Sequence, residues 1–166
     1  MKKLMIKFLC ITSVLCLVAV GCGGDDGDDA AGNQTGGQVT IAEGTTLDLD
    51  ACPDDWDASE GVTDNEIRFG TSLPQSGQLA AFGTIASGME FYFDYVNATD
   101  PIGGKDLVLV AKDDAYEPGR TVANVQEMLE TENIVGFVGV IGTPNNYAIR
   151  PITDEACVPQ LLNLSG

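Results

Sequence analysis

The chain has 166 residues, enough for one domain with its own core. Lys and Arg total 8 against 25 Asp and Glu, so the formal net charge is -17 at pH 7. Such a charge opposes binding to nucleic acid or to an anionic membrane surface. The sequence contains no histidine, which excludes nucleophilic schemes that pair Ser or Cys with a His base. We expect no cofactor, since no dinucleotide or phosphate loop is present, and no metal site, since the commonest transition-metal ligand is missing.

Residues 1–21 form a predicted targeting segment. A basic start is followed by an uncharged apolar run at residues 8–20, a pattern typical of a secretory signal. Residues 19–22, Ala-Val-Gly-Cys, resemble a bacterial lipoprotein lipobox, which implies cleavage before Cys22 and lipid attachment to that cysteine. The alternative is an ordinary secretory signal cleaved nearby. Both interpretations place the mature chain outside the cytoplasm.

Residues 22–61 are predicted to be a flexible acidic tether and coil. The Gly- and Asp-rich run at 23–44 has too little apolar surface to offset the entropy cost of ordering. Its aspartates invite comparison with calcium ligands, but the EF-hand spacing and its terminal Glu are missing. The polar stretch at 45–63, which contains Trp56, is expected to lie as coil against the domain.

Regular structure is predicted from Val62 onward, with strands and helices in alternation. Continuous apolar runs such as Leu107–Val110 indicate strands buried on both faces, which favours a parallel sheet. The predicted strands are Ile67–Ser72, Asp106–Asp113, Ile134–Ile141 and Val158–Leu164. The predicted fold class is therefore α/β with a doubly wound parallel sheet.

Apolar residues at spacings of 3 and 4 predict the first two helices. The first carries Phe82, Ile85, Met89, Phe93 and Val96 on one face and ends near Asn97. The second starts at Pro118 and continues to about Glu132, with Val122, Val125 and Leu129 facing inward. A third helix is predicted with Thr143 as its N-cap and Pro144 as its first helical residue. Because the fourth strand stops at the end of the chain and leaves a sheet edge uncovered, we expect the chain to be a fragment.

Ligands of open α/β sheets bind outside the carboxyl ends of the strands. The loop from Leu73 to Gly83 follows the first predicted strand and is the first candidate site. The loop at Gly142 and Thr143 is the second, because backbone N–H groups at a helix start can hold an anion.

Four segments occur in matching order between residues 61 and 166: GVTDNEIRFGTSLPQSGQLAAFG, VAKDDAYEPGRTVANVQEMLE, IVGFVGVIGTPNN and ACVPQLLNLSG. Together they resemble the extracytoplasmic solute-binding proteins of ABC transporters for branched-chain amino acids. The resemblance implies the type I periplasmic binding protein fold, in which two lobes close over a small ligand and present it to a membrane permease. It also implies that the protein is not an enzyme and that residues 62–166 form part of the N-terminal lobe.

The resemblance also implies which residues bind the ligand. The family segment SG-x-x-A-x-aromatic-G matches residues 76–83 and places Phe82 in the pocket wall. With the loops after the third and fourth strands, the implied ligand-binding residues are Ser76, Gly77, Phe82, Gly142, Thr143, Ser165 and Gly166. An amino acid's carboxylate would take donors at the helix start, and its ammonium group would take acceptors at the end of the fourth strand. The alternatives are a helix cap at Thr143, a core residue at Phe82 and a strand-end hydroxyl at Ser165.

Two cysteines remain after the signal segment and Cys22 are set aside. Cys52 and Cys157 form an even pair in an oxidising compartment. A disulfide between them would fasten the coil segment to the base of the fourth strand. The alternative is that Cys157 is a buried apolar residue and Cys52 pairs beyond Gly166.

The sequence therefore predicts a lipid-anchored substrate-binding component of an ABC importer, with a branched-chain amino acid as first ligand. Alternatives are a binding protein for amides or urea, and a ligand-sensing receptor module with the same fold. A further alternative is an extracytoplasmic enzyme whose catalytic residues lie past Gly166.

Overall fold

The computed structural model describes residues 37–42 and 45–165. The predicted signal segment, Cys22, most of the Gly- and Asp-rich run and Gly166 lie outside the described residues. Within the described part, no helix is both long and apolar enough to cross a membrane.

The main sheet has four parallel strands, numbered after the two strands of a separate N-terminal hairpin: β3 (Glu66–Leu73), β4 (Asp106–Asp113), β5 (Gly136–Val138) and β6 (Gln160–Leu161). Their order across the sheet is β4-β3-β5-β6. The longest ladder pairs β3 with β4 from Glu66–Asp106 to Leu73–Asp113. The predicted parallel α/β sheet is confirmed.

Helices connect these strands: α1 (Thr84–Thr99), α2 (Pro118–Glu127) and α3 (Thr143–Glu155). The chain moves outward from β3 through α1 to β4, then back across β3 through α2 to β5. Because parallel crossovers are right-handed, these opposite directions place α1 on one face of the sheet and α2 on the other. The sheet is therefore doubly wound, as predicted.

The buried apolar residues form two clusters, consistent with two covered faces. The larger one joins α2 and α3 to β5 and contains Val125, Met128, Ile134, Phe137, Val140 and Ile149. The smaller one joins α1 to the strand ends and contains Leu73, Ala86 and Ile141.

The third and fourth strands are shorter than predicted. Residues Ile134–Ile141 contain only the three-residue β5, and Val158–Leu164 only the two-residue β6. Positive φ angles at Gly139 and Leu162 interrupt the extended backbone just beyond each strand. Pairing resumes at one isolated parallel bridge between Ile141 and Leu164.

β4 is less buried than its apolar run predicts. Only Leu107 is buried, and the residues after it are half-buried. The reason is position, since β4 is the edge strand of the described sheet and has a neighbour on one side only.

The helix boundaries also differ in detail. A 3₁₀ turn at Ala80–Gly83 precedes α1, so Phe82 lies outside the helix, which continues to Thr99 instead of Asn97. The predicted second helix is α-helical only as far as Glu127, and its last turn, Met128–Glu132, is π-helical. The predicted N-cap at Thr143 is wrong by one residue: Gly142 is the cap, with φ of 104°, and Thr143 is the first helical residue.

The segment before β3 is not all coil. β1 (Gln38–Ala42) and β2 (Thr45–Asp48) pair antiparallel, and a 3₁₀ turn follows at Leu49–Ala51. Alternating polar and apolar residues here permit a hairpin that composition alone does not reveal.

Cys52 and Cys157 are joined by a disulfide, with Cα atoms 5.6 Å apart and a sequence separation of 105. Cys52 follows the 3₁₀ turn, and Cys157 lies between α3 and β6. A groove of about 620 Å³ lies beside the bond and has half-buried Trp56 in its wall. The disulfide fastens the N-terminal hairpin segment to the base of the sheet.

Replacing both cysteines by serine is expected to lower the free energy of unfolding by about 2 to 4 kcal/mol, since the bond closes a long loop in the unfolded chain. Urea unfolding of the disulfide-bonded protein measures this loss. Cys157→Ser alone should cost about as much as the double replacement, because either change removes the same bond. A double variant within about 0.5 kcal/mol of the unmodified protein would contradict the expected role.

Candidate ligand-binding site

A buried carboxylate, that of Asp114, lies at the carboxyl end of β4. Its Oδ2 accepts hydrogen bonds from Ser72 Oγ (2.9 Å), Thr121 Oγ1 (3.0 Å) and Asn145 Nδ2 (3.2 Å). Its Oδ1 accepts from the backbone N–H of Tyr116 at 2.8 Å. These donors come from β3, α2, α3 and the loop after β4, so one charge holds four segments together.

The neighbouring carboxylate, that of Asp113, holds the loop after β3. Its Oδ1 accepts the backbone N–H groups of Gln75 (2.8 Å), Ser76 (3.0 Å) and Ala115 (3.0 Å). Its Oδ2 accepts from Ser76 Oγ at 2.6 Å and from Arg120 Nη2 at 3.1 Å. The loop that carries the predicted residues Ser76 and Gly77 is therefore fixed to the end of β4.

Hydrogen bonding lowers the pKa of Asp113 well below its ordinary value of 3.8. The Ser76 hydroxyl is the largest cause, and the backbone N–H groups of Ala115, Gln75 and Ser76 add to it against the opposing effect of desolvation. The carboxylate is thus ionised at neutral pH, as its donors require.

The start of α3 presents backbone donors at the carboxyl end of β5. The first intrahelical bond runs from Asn146 N to Gly142 O at 2.9 Å, so the N–H groups of Thr143 and Asn145 precede that ladder. Asn146 Nδ2 also donates to the carbonyls of Val140 (3.2 Å) and Gly142 (3.0 Å) and fixes the turn. This arrangement suits an anion such as a carboxylate.

Ser165 lies beside this helix start. Gly142 N donates to Leu164 O at 3.1 Å, which brings the residue after Leu164 next to Thr143. Thr143 and Ser165 line one groove of about 410 Å³. The groove continues along α3 to Pro159 at the other end of the sheet. Only the part next to Thr143 and Ser165 therefore belongs to the candidate site.

The structure groups the predicted site residues in two sets at the carboxyl edge of the sheet. Ser76 and Gly77 lie at the end of β4, where Asp113 accepts hydrogen bonds from Ser76. Gly142, Thr143 and Ser165 lie together at the ends of β5 and β6. Phe82 lies in the 3₁₀ turn and is 47% exposed, so it is not the core residue that its helical spacing predicts. Gly166 lies outside the described residues.

Three residues of this edge are absent from the sequence prediction: Asp113, Asp114 and Tyr116. The available signal was the pair of aspartates at the end of a predicted apolar strand, where polar side chains of α/β sheets gather. Among the described residues, no group of three or more His, Cys, Asp or Glu side chains is arranged to hold a metal ion.

Comparison with known proteins identifies the class. The family model described as "Periplasmic binding protein" matches residues 66–165, and the chain therefore belongs to the periplasmic binding protein family. Its fold is that of the type I members of this family. Comparison with curated proteins gives no match.

Solved structures give the same result. A possible leucine/isoleucine/valine-binding protein from Rhodopirellula baltica is 31% identical with a TM-score of 0.58, over 61% of this chain and 28% of that one. A branched-chain amino acid transporter substrate-binding protein from Streptococcus pneumoniae, in complex with isoleucine, is 25% identical with a TM-score of 0.56, over 61% and 30%.

A third similar structure is a solute-binding protein of an ABC transporter from Rhodopseudomonas palustris in complex with 3,4-dihydroxybenzoic acid. It is 25% identical with a TM-score of 0.53, and the match covers 60% of this chain and 28% of that one. The chain thus spans less than a third of the length of these three structures.

Asp114→Asn is expected to lower the free energy of unfolding by about 2 to 3 kcal/mol, because an amide turns a donor toward groups that donate to the carboxylate and leaves buried partners unpaired. Chemical unfolding measures it. Asp94→Asn, the same change at an exposed position on α1, should alter stability by less than about 0.5 kcal/mol. Equal effects of the two variants would contradict the role assigned to Asp114.

Asp113 should make stability depend on acid pH. Because its folded-state pKa is lowered, its contribution is present above the unfolded pKa and is lost as the pH falls toward the folded value. The unfolding free energy should therefore fall more between about pH 5 and about pH 2 in the unmodified protein than in Asp113→Asn. Urea titrations across this range test the difference, and parallel curves for the two proteins would contradict it.

Proposed function

We propose that this chain is the first part of the N-terminal lobe of a lipid-anchored substrate-binding component of an ABC importer. The proposed ligand is a small molecule with a carboxylate group, and a branched-chain amino acid is the first candidate. The observation that carries the proposal is the start of α3, where backbone donors and the Thr143 hydroxyl lie beside Ser165 at the carboxyl edge of the sheet. The protein performs no chemistry, and a membrane permease receives the ligand from the closed form.

The comparisons support a carboxylate more strongly than one particular side chain. Isoleucine and 3,4-dihydroxybenzoic acid, bound in two of the similar structures, share this group and little else. A carboxylate gains from oriented N–H donors and from the positive end of a helix, whatever the rest of the ligand contains. The ligand's other end would contact residues beyond the described lobe, where discrimination between side chains would arise.

Lipid attachment at Cys22 and location outside the cytoplasm belong to the same proposal. The lipobox-like residues 19–22 support the anchor, and family membership supports the extracytoplasmic location. Ligand binding would drive lobe closure by the difference in its affinity for the closed and open states. A sensory module with the same fold would bind its ligand in the same way, and no feature of the described residues favours it.

The test is a thermal-shift and calorimetric series on the full-length protein with Cys22→Ser, which should be secreted without a lipid. The panel contains leucine, isoleucine, valine, their carboxamides, urea and 3,4-dihydroxybenzoic acid. At a ligand concentration of one hundred times Kd, binding to the folded state adds about 2.7 kcal/mol of stability. We expect stabilisation by a free carboxylate and not by its carboxamide.

Thr143→Ala should weaken that binding about tenfold, as expected for loss of a hydrogen bond to a charged group. Thr99→Ala makes the same change at the end of α1, where the hydroxyl donates to Tyr95 O at 2.7 Å, and should leave the affinity unchanged. Binding of urea or a carboxamide without binding of any carboxylate would contradict the proposed ligand class.

A further inference from the structure

The loop after β4 carries two consecutive residues in a left-handed backbone conformation. Ala115 has φ of 50° and Tyr116 has φ of 65°, a conformation that costs energy for residues other than glycine. Asp113 accepts the N–H of Ala115, and Asp114 accepts the N–H of Tyr116. The two carboxylates therefore hold Tyr116 in a single place.

The Tyr116 ring extends from this loop to the start of α3. The Tyr116 side chain packs against the cluster of Leu73, Ala86 and Ile141. Its outer end meets Gly142, where an added Cβ would lie 2.6 Å from Tyr116 Cε2, 3.0 Å from Cζ and 3.2 Å from the hydroxyl oxygen. Glycine at 142 thus allows the ring to lie directly on the backbone, and the hydroxyl reaches the residue before Thr143.

The Tyr116 hydroxyl forms no hydrogen bond with another described residue, and it is not among their fully buried unpaired polar atoms. The Ser76 hydroxyl, in contrast, donates to Asp113. A phenol at the positive end of a helix can donate to an anion held there. Its position beside Gly142 places such a donor next to the N–H groups that begin α3.

We propose that Tyr116 is a ligand-binding residue whose hydroxyl donates a hydrogen bond to the ligand's carboxylate beside Thr143. This inference rests on the proposed function and adds a third element to the site, the loop after β4. The Asp113 and Asp114 carboxylates act on the ligand only indirectly, by positioning this loop.

Tyr116→Phe tests the inference because it removes the hydroxyl and keeps the ring that contacts Gly142. The probe is isoleucine, with 3,4-dihydroxybenzoic acid as the second probe, measured by calorimetry on the full-length protein carrying Cys22→Ser. We expect the variant to bind the carboxylate about tenfold more weakly, with an unchanged melting temperature in the absence of ligand. Tyr95→Phe, at a tyrosine that is 59% exposed on α1, should bind as the unmodified protein does.

A double variant with Thr143→Ala supplies a second measurement. Two donors to one carboxylate are coupled, so the combined loss should differ from the product of the separate losses. Affinity within twofold of the unmodified protein for Tyr116→Phe would overturn this inference and leave the proposed function intact. Failure of the unmodified protein to bind any carboxylate on the panel would overturn both.

Discussion

The candidate site depends on the hydrogen bonds that the buried carboxylate of Asp114 accepts. A charge removed from water is tolerated only when several donors replace its hydration. Here the donors come from Ser72, Thr121, Asn145 and the backbone of Tyr116. Since these residues belong to separate elements, satisfying the charge also sets the positions of the ends of β3, α2 and α3.

Asp113 extends the same arrangement toward solvent. It is 28% exposed and joins the loop after β3, through Ser76, to the loop after β4, through Ala115. It also accepts a hydrogen bond from Arg120 of α2. Asp114 thus fixes the interior of this edge of the sheet, and Asp113 fixes its surface. A binding site made of loops requires this kind of support, because loops have few packing contacts of their own.

The other end of the sheet is stabilised by different means. The Cys52–Cys157 disulfide connects the segment after the N-terminal hairpin to the base of β6, and Trp56 lies in the wall of the groove beside the bond. Covalent attachment is useful where a short polar segment buries little apolar surface. The protein thus combines a polar network at the edge of the candidate site with a covalent bond at the opposite edge.

The sequence by itself determined the parallel α/β architecture, because apolar periodicity and continuous apolar strands depend on local residue order. It also located β4 and the loops that carry Ser76 and Thr143. It missed the pairing of β1 with β2, because each strand is too short for its alternation of polar and apolar residues to stand out.

Tertiary structure alone decided how short β5 and β6 are, since the positive φ angles that end them depend on neighbouring contacts. It also decided that Phe82 lies in an exposed turn and that Tyr116 lies on Gly142. Ser72, Thr121 and Asn145 are separated from Asp114 along the chain, and only folding brings them together around its carboxylate. Local pattern reports which face of an element is apolar, whereas such a meeting of polar side chains depends on how the elements are packed.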